Sequence, residues 1–167
     1  MNRSYRIRFG ALGLMFAVAS MLVPACAQEG PESFPANKYQ CEHCRMGIVD
    51  LRFAVQAISE HGKRHRFDSI DCFYAWKEHS DSSMKQIFVA DFDNPGHWIP
   101  GDRAHYLSSG ERPSPMGDVS AYASDEKVNR ALEAVKGNGQ IIDYSDLAEF
   151  IRSKSPEHKN RNRERNQ

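Results

Sequence analysis

Hydrophobic and polar positions alternate in two successive layouts along the chain. In the first, Arg52–Ser59 (RFAVQAIS) is rich in β-branched and aromatic residues and reads as a strand. Glu60-His61-Gly62-Lys63 is a polar turn, and Arg64–Phe67 returns as a second strand, so a hairpin is predicted. Asp68 or Ser69 then caps a helix from about Ile70 to His79 that buries Ile70, Phe73 and Tyr74. In the second layout, Gln86–Phe92 is a strand, Asp93-Asn94-Pro95-Gly96 a turn, and Arg103–Ser108 another strand. Ser124 caps a helix that places Val128, Ala131, Leu132 and Val135 on one face and stops at Gly137. Gln140–Asp143 is a short strand, and Ser145 caps a last helix to about Arg152. The expectation is an α+β fold with antiparallel strands, built from two β-hairpin-plus-helix units of ββα type, at about 39–80 and 84–151.

The first 38 residues follow different rules. Arg3, Arg6 and Arg8 precede an uncharged run, FGALGLMFAVASMLV, which ends at Pro24-Ala25-Cys26. Fifteen residues at ~1.5 Å each span ~22 Å, short of a ~30 Å hydrocarbon core. A cleaved signal peptide over 1–25 therefore fits better than a membrane-spanning anchor. Val23-Pro24-Ala25-Cys26 resembles a bacterial lipobox, which implies lipidation of Cys26 and a membrane-tethered protein. Residues 26–38, polar and rich in Gly, Pro and Glu, read as a flexible tether. Ala27 in place of an acid after the cysteine favours the outer membrane.

Charge sharpens this division. Lysines plus arginines equal aspartates plus glutamates over the whole chain, 22 of each. The last sixteen residues, 152–167, hold six basic and two acidic side chains and nothing apolar. They read as a disordered basic tail behind a mildly acidic body. Export argues against a nucleic-acid partner.

Chemistry concentrates in Cys41-Glu42-His43-Cys44-Arg45-Met46-Gly47. Two thiols three residues apart converge on one ion when the backbone turns between them, and Met46 adds a thioether. Met116, in Pro113-Ser114-Pro115-Met116-Gly117, is kept out of a helix or a central strand by its neighbours. Thiolate and thioether together select copper(I), whereas zinc has little use for a thioether. Two alternatives stay open. Cys41 and Cys44 are also the spacing of a thiol–disulfide oxidoreductase, although that motif normally opens a helix. Cys41, Cys44, His61 and His65 approach a Cys₂His₂ zinc spacing, although these histidines straddle a turn. Cys72 reads as a half-buried packing residue or, less simply, as a third thiolate, and His43 as solvent-exposed. Asp91, Asp93 and His97-Trp98 form no recognisable hydrolytic motif, and nothing in the chain points to catalysis.

The stretches CEHCRMGIVDLRFAVQ, HRFDSIDCFYAW, FVADFDNPGHWI and AHYLSSGERPSPMGDVSAY, in that order, resemble the NosL family of nitrous-oxide reductase accessory lipoproteins. The resemblance runs from about Tyr39 to Leu147. It implies a periplasmic copper(I) metallochaperone, not an enzyme, that serves a copper-enzyme assembly system with an ABC-type transporter partner and nitrous-oxide reductase as client. By position, Cys41 and Met46 match the family's metal motif and Met116 its loop methionine. Cys44 stands where many members carry another residue, often aspartate, so it assists binding here without being general to the family. Arg45 stands where glycine is usual.

Overall fold

The computed structural model describes residues 30–154. The segment expected to be a signal peptide, Cys26 with its expected lipidation, and nearly all of the expected basic tail lie outside the described residues. Among those described, no helix is long and apolar enough to cross a membrane.

Two antiparallel sheets form the body. Strands β1 (Val55–Ser59) and β2 (Arg64–Phe67) make the predicted hairpin, with Val55 opposite Phe67 and Ile58 opposite Arg64. Strand β3 (Met84–Asp91) pairs with the other edge of β1, and β4 (Asn94–Pro100) pairs with β3, giving the order β2-β1-β3-β4. The second sheet has the order β6-β5-β7, from β5 (His105–Ser108), β6 (Val119–Tyr122) and β7 (Gln140–Ile142). A backbone bond from Phe92 N–H to Ala121 O, 2.9 Å, ties the end of β3 to β6. Three helices pack on this frame: α1 (Ile70–Lys77), α2 (Asp125–Ala134) and α3 (Tyr144–Lys154). The main core runs from Phe34 to Ile151 and draws on both sheets and on α1 and α3.

The α+β class and the antiparallel pairing are as expected, and the hairpin-plus-helix pattern does recur, as β1-β2-α1 and β5-β6-α2. The strand membership differs. Gln86–Phe92 and Arg103–Ser108 do not pair with each other; the former joins the first sheet and the latter the second. The four-stranded sheet thus spans the boundary expected near residues 80–84. Asn94-Pro95-Gly96 is not a turn but the start of β4, and the chain reverses at Phe92-Asp93 instead. Pro95 is tolerated because β4 is an edge strand, where a missing N–H breaks no ladder. Strand β6 has no counterpart in the periodicity, since all four of its residues are buried and none alternates.

The helix caps follow the chemistry of the sequence. Ser69 Oγ accepts from Cys72 N–H at 3.2 Å and Ser124 Oγ from Lys127 N–H at 3.3 Å. Ser145, expected to cap α3, instead lies inside its first turn. The stretch expected to be a flexible tether is docked from Gly30 onward. Phe34 is buried in the core, and the buried Gln56 side chain exchanges two hydrogen bonds with the Glu32 backbone, at 3.0 and 2.8 Å. That pairing satisfies an amide which would otherwise be stranded inside the protein.

Candidate metal centre

Residues 39–48 form a small hairpin that carries the first two cysteines. Ile48 N–H bonds Tyr39 O, Cys41 N–H bonds Met46 O at 2.8 Å, and Arg45 N–H returns to Cys41 O at 3.0 Å. Closing so tight a loop requires one left-handed residue, and Arg45 has φ = 65°. Arg45 thus holds a backbone conformation that glycine adopts freely and that costs an L side chain ~1–2 kcal/mol. Gly47 lets the Asn37 side chain lie against the hairpin, since a methyl group there would lie 2.2 Å from Asn37 Oδ1 and turn that side chain away. Glu42 N–H donates to Arg66 O of β2, and Glu42 Oε2 meets His65 Nδ1 at 2.7 Å, so the hairpin is pinned beside the end of β2.

That docking brings the β2–α1 junction under the cysteines. Asp68 follows β2 directly, and Cys72 sits one turn into α1, where the Ser69 cap holds its backbone. The Sγ atoms of Cys41, Cys44 and Cys72 and a carboxylate oxygen of Asp68 all lie within 4.8 Å of one another. Three of these residues are sealed from solvent: Cys41 is 0%, Cys72 1% and Asp68 2% exposed. Cys44 is half-buried and forms the outer side of the cluster. None of the three cysteines is in a disulfide. Phe67 and Phe73, edge to face at 5.5 Å, flank the Asp68 and Cys72 positions along the chain and are themselves buried.

The thiols differ in charge. The Cys72 thiol donating to its sulfur, aided by backbone amides of Asp68, Cys44 and His43, lowers the Cys41 pKa to about 6 against the opposing effect of burial. The Cys72 thiol is held protonated by that same hydrogen bond, by burial and by the nearby Asp68 carboxylate. Burial, with smaller contributions from Asp68 and Cys41, pushes Cys44 up to about 11, and its S–H donates to Asp68 Oδ2 at 3.2 Å. One thiolate is thus preformed among two thiols. Asp68 Oδ1 is buried and accepts no hydrogen bond.

Both methionines are exposed, Met46 by 47% and Met116 by 49%. Met46 lies at the end of the cysteine hairpin. Met116 is at the tip of a tight turn closed by Ser114 N–H to Gly117 O at 3.0 Å. The turn rests on the first turn of α1. Ser114 Oγ donates to Asp71 Oδ2 at 3.0 Å, and a methyl group on Gly117 would lie 2.1 Å from Asp71 Oδ1. Asp71 is the neighbour of Cys72, so two distant stretches of chain meet at the start of α1. Burial raises the Asp71 pKa to about 6.

The other expected groups are not gathered here. His61 is exposed in the β1–β2 turn, and the His65 ring is engaged by Glu42 and lies 4.7 Å from Trp76, so no Cys₂His₂ set forms. His43 is exposed. Asp91 binds Lys127 Nζ at 2.7 Å, a structural ion pair. Conversely, sequence reasoning read Asp68 only as a cap and Cys72 chiefly as packing. The available signal was an odd third cysteine at the start of a capped helix.

An α+β domain whose first helix and an N-terminal hairpin bury a cluster of sulfur ligands belongs to the class of metal-binding proteins. Residues 35–151 match the NosL family, and the chain belongs to it. Among solved structures, the fold is similar to the crystal structure of the copper chaperone NosL from Shewanella denitrificans. That comparison gives a TM-score of 0.59 at 14% identity, over 70% of this chain and 93% of the other. Comparison with curated proteins finds no match.

Proposed function

We propose that the protein is a periplasmic copper(I) chaperone that captures one ion with Cys41, Cys44, Met46 and Met116 and passes it to a copper enzyme under assembly. The observation that carries this reading is the convergence of the Cys41 and Cys44 sulfurs, within 4.8 Å of each other, in a hairpin that ends in an exposed methionine. The donor set fits the cargo: thiolate and thioether are the soft ligands that copper(I) prefers. Cys41 offers charge without further deprotonation at neutral pH. Half-buried Cys44 and exposed Met46 meet an incoming ion first, and the same outward ligands are the ones a partner's sulfur displaces first. Each step of the exchange forms one copper–sulfur bond to the partner and breaks one to this chain, with no change of oxidation state and no substrate transformed, so the protein acts as a binding protein and not as an enzyme.

The thiol–disulfide alternative is less well supported. An exchange nucleophile must be reached by its substrate, whereas the low-pKa sulfur belongs to Cys41, which is fully buried in a hairpin and opens no helix. In our reading Cys26 carries a lipid that holds the domain at a membrane, nitrous-oxide reductase is the client, and an ABC-type transporter complex is the assembly partner. The test is competition with a colorimetric copper(I) chelator under anaerobic, reducing conditions. One copper(I) per chain is expected, weakened at least ~10-fold, or about 1.4 kcal/mol, in both Cys41→Ala and Met46→Ala. Unchanged affinity in either variant would overturn the assignment.

A further inference from the structure

The copper reading takes four sulfurs as ligands and gives Cys72 and Asp68 no coordinating role, although both are almost completely buried at the centre of the cluster. Asp68 is the odd donor. A carboxylate oxygen adds little for copper(I), a soft ion, whereas a borderline divalent ion accepts thiolate and carboxylate together. Asp68 Oδ1 accepts no hydrogen bond despite being buried, a state that ordinarily costs ~1–3 kcal/mol and that a bound cation would relieve. The four donors come in pairs from two distant backbone segments, the cysteine hairpin and the β2–α1 junction, which face each other across the site. Metal–sulfur bonds of ~2.3 Å set tetrahedral corners ~3.8 Å apart. Donors already within 4.8 Å of one another need to close by no more than about 1 Å.

From this geometry we infer that Cys41, Cys44, Cys72 and Asp68 form a second, inner site, a three-thiolate, one-carboxylate tetrahedron for a divalent cation of the zinc class. It shares Cys41 and Cys44 with the proposed copper site and has Cys72 and Asp68 to itself. The two ions therefore compete: a divalent ion withdraws the shared cysteines inward, and copper(I) draws them outward toward Met46 and Met116. The domain then carries cargo only when copper(I) outcompetes the divalent ion for those two sulfurs.

Cobalt(II) alone is the probe, titrated anaerobically into the reduced, full mature chain, with zinc(II) added afterwards. The expected result is one equivalent giving the intense visible bands of tetrahedral cobalt and a thiolate-to-metal band, both bleached by zinc(II) and by copper(I). Asp68→Asn is expected to weaken cobalt binding at least tenfold with copper(I) affinity retained. The Met46→Ala, Met116→Ala double variant should do the reverse. Cys72→Ser is a harsher form of the first variant; circular dichroism of each protein checks the fold, and Asp68→Asn decides if Cys72→Ser fails to fold. An octahedral cobalt spectrum, or an unchanged tetrahedral one in Asp68→Asn, would overturn the inner site. Loss of copper(I) binding with the cobalt pattern intact would instead strike at the chaperone reading, so the two failures are distinguishable.

Discussion

Cys41, Cys72 and Asp68 lie within a sealed part of the core, whereas Met46 and Met116 stand half in solvent on two short turns. The inner group is placed by the fold: a cap bond at Ser69, a backbone bond from Glu42 to β2, and the packed rings of Phe67 and Phe73. The outer group is placed by local turns, and Asp71 ties the Met116 turn to α1 through Ser114. On the proposed reading, this difference is what lets one domain hold a metal and still surrender it: a fixed inner group would set selectivity, and donors on exposed turns would provide a route in and out.

The contrast breaks most sharply if the inner wall is removed. Phe67→Ala empties a fully buried ring position next to Phe73 and Trp76 and is expected to cost ~3–5 kcal/mol in denaturant unfolding. Met46→Ala, on the exposed turn, should cost under ~1 kcal/mol in the same measurement. Comparable losses in the two variants would mean that the inner and outer ligands are not held differently.

The next largest effect is on charge. With its pKa lowered from 9.0 to about 6, Cys41 stabilises the folded state as a thiolate. That contribution is fully present above its unfolded pKa, near 9, and is lost as pH falls through about 6. Ultraviolet titration of the reduced, metal-free protein should show one thiolate forming near pH 6. The step should be missing in Cys41→Ser and should move toward the ordinary thiol range when the chain is unfolded in denaturant. If no thiolate forms until the ordinary range in the folded protein, the Cys72 thiol does not stabilise a Cys41 thiolate in the buried cluster.

The smallest effect belongs to the contact between the regions. Gly117→Ala puts a methyl group against the Asp71 carboxylate, so the Met116 turn must lift or Asp71 must move. A loss of ~1–3 kcal/mol is expected, together with weaker copper(I) binding and unaltered thiolate titration. A thiolate step shifted along with it would show that the turn and the cysteine cluster are one rigid unit.

Much of this was legible in the chain. The β1–β2 hairpin, the Ser69 and Ser124 caps and the Cys41-x-x-Cys44-x-Met46 cluster are local, written within a few residues of one another. Met116 was legible as a second thioether in a Pro- and Gly-flanked turn, and the resemblance to the NosL family matched it to that family's loop methionine. What escaped is of a different kind. Strand β4 begins at an Asn-Pro-Gly run that has every mark of a turn, and it is a strand because β3 offers an edge that needs no donor from Pro95. Strand β6 is buried throughout and shows no alternation. The stretch from Gly30 has a linker's composition but is docked, because Gln56 inside the sheet needs its backbone.

The sequence alone determined the types of ligand present, the segments that carry them and the helices and hairpin closest to them, since caps, turns and short motifs act over a few bonds. Only the tertiary structure decided that Asp68 and Cys72 join the cysteine pair, that Cys41 is the sealed thiolate, and that the Met116 turn sits at the start of α1. Burial and the convergence of donors depend on which distant segments pack together, and no local pattern records that.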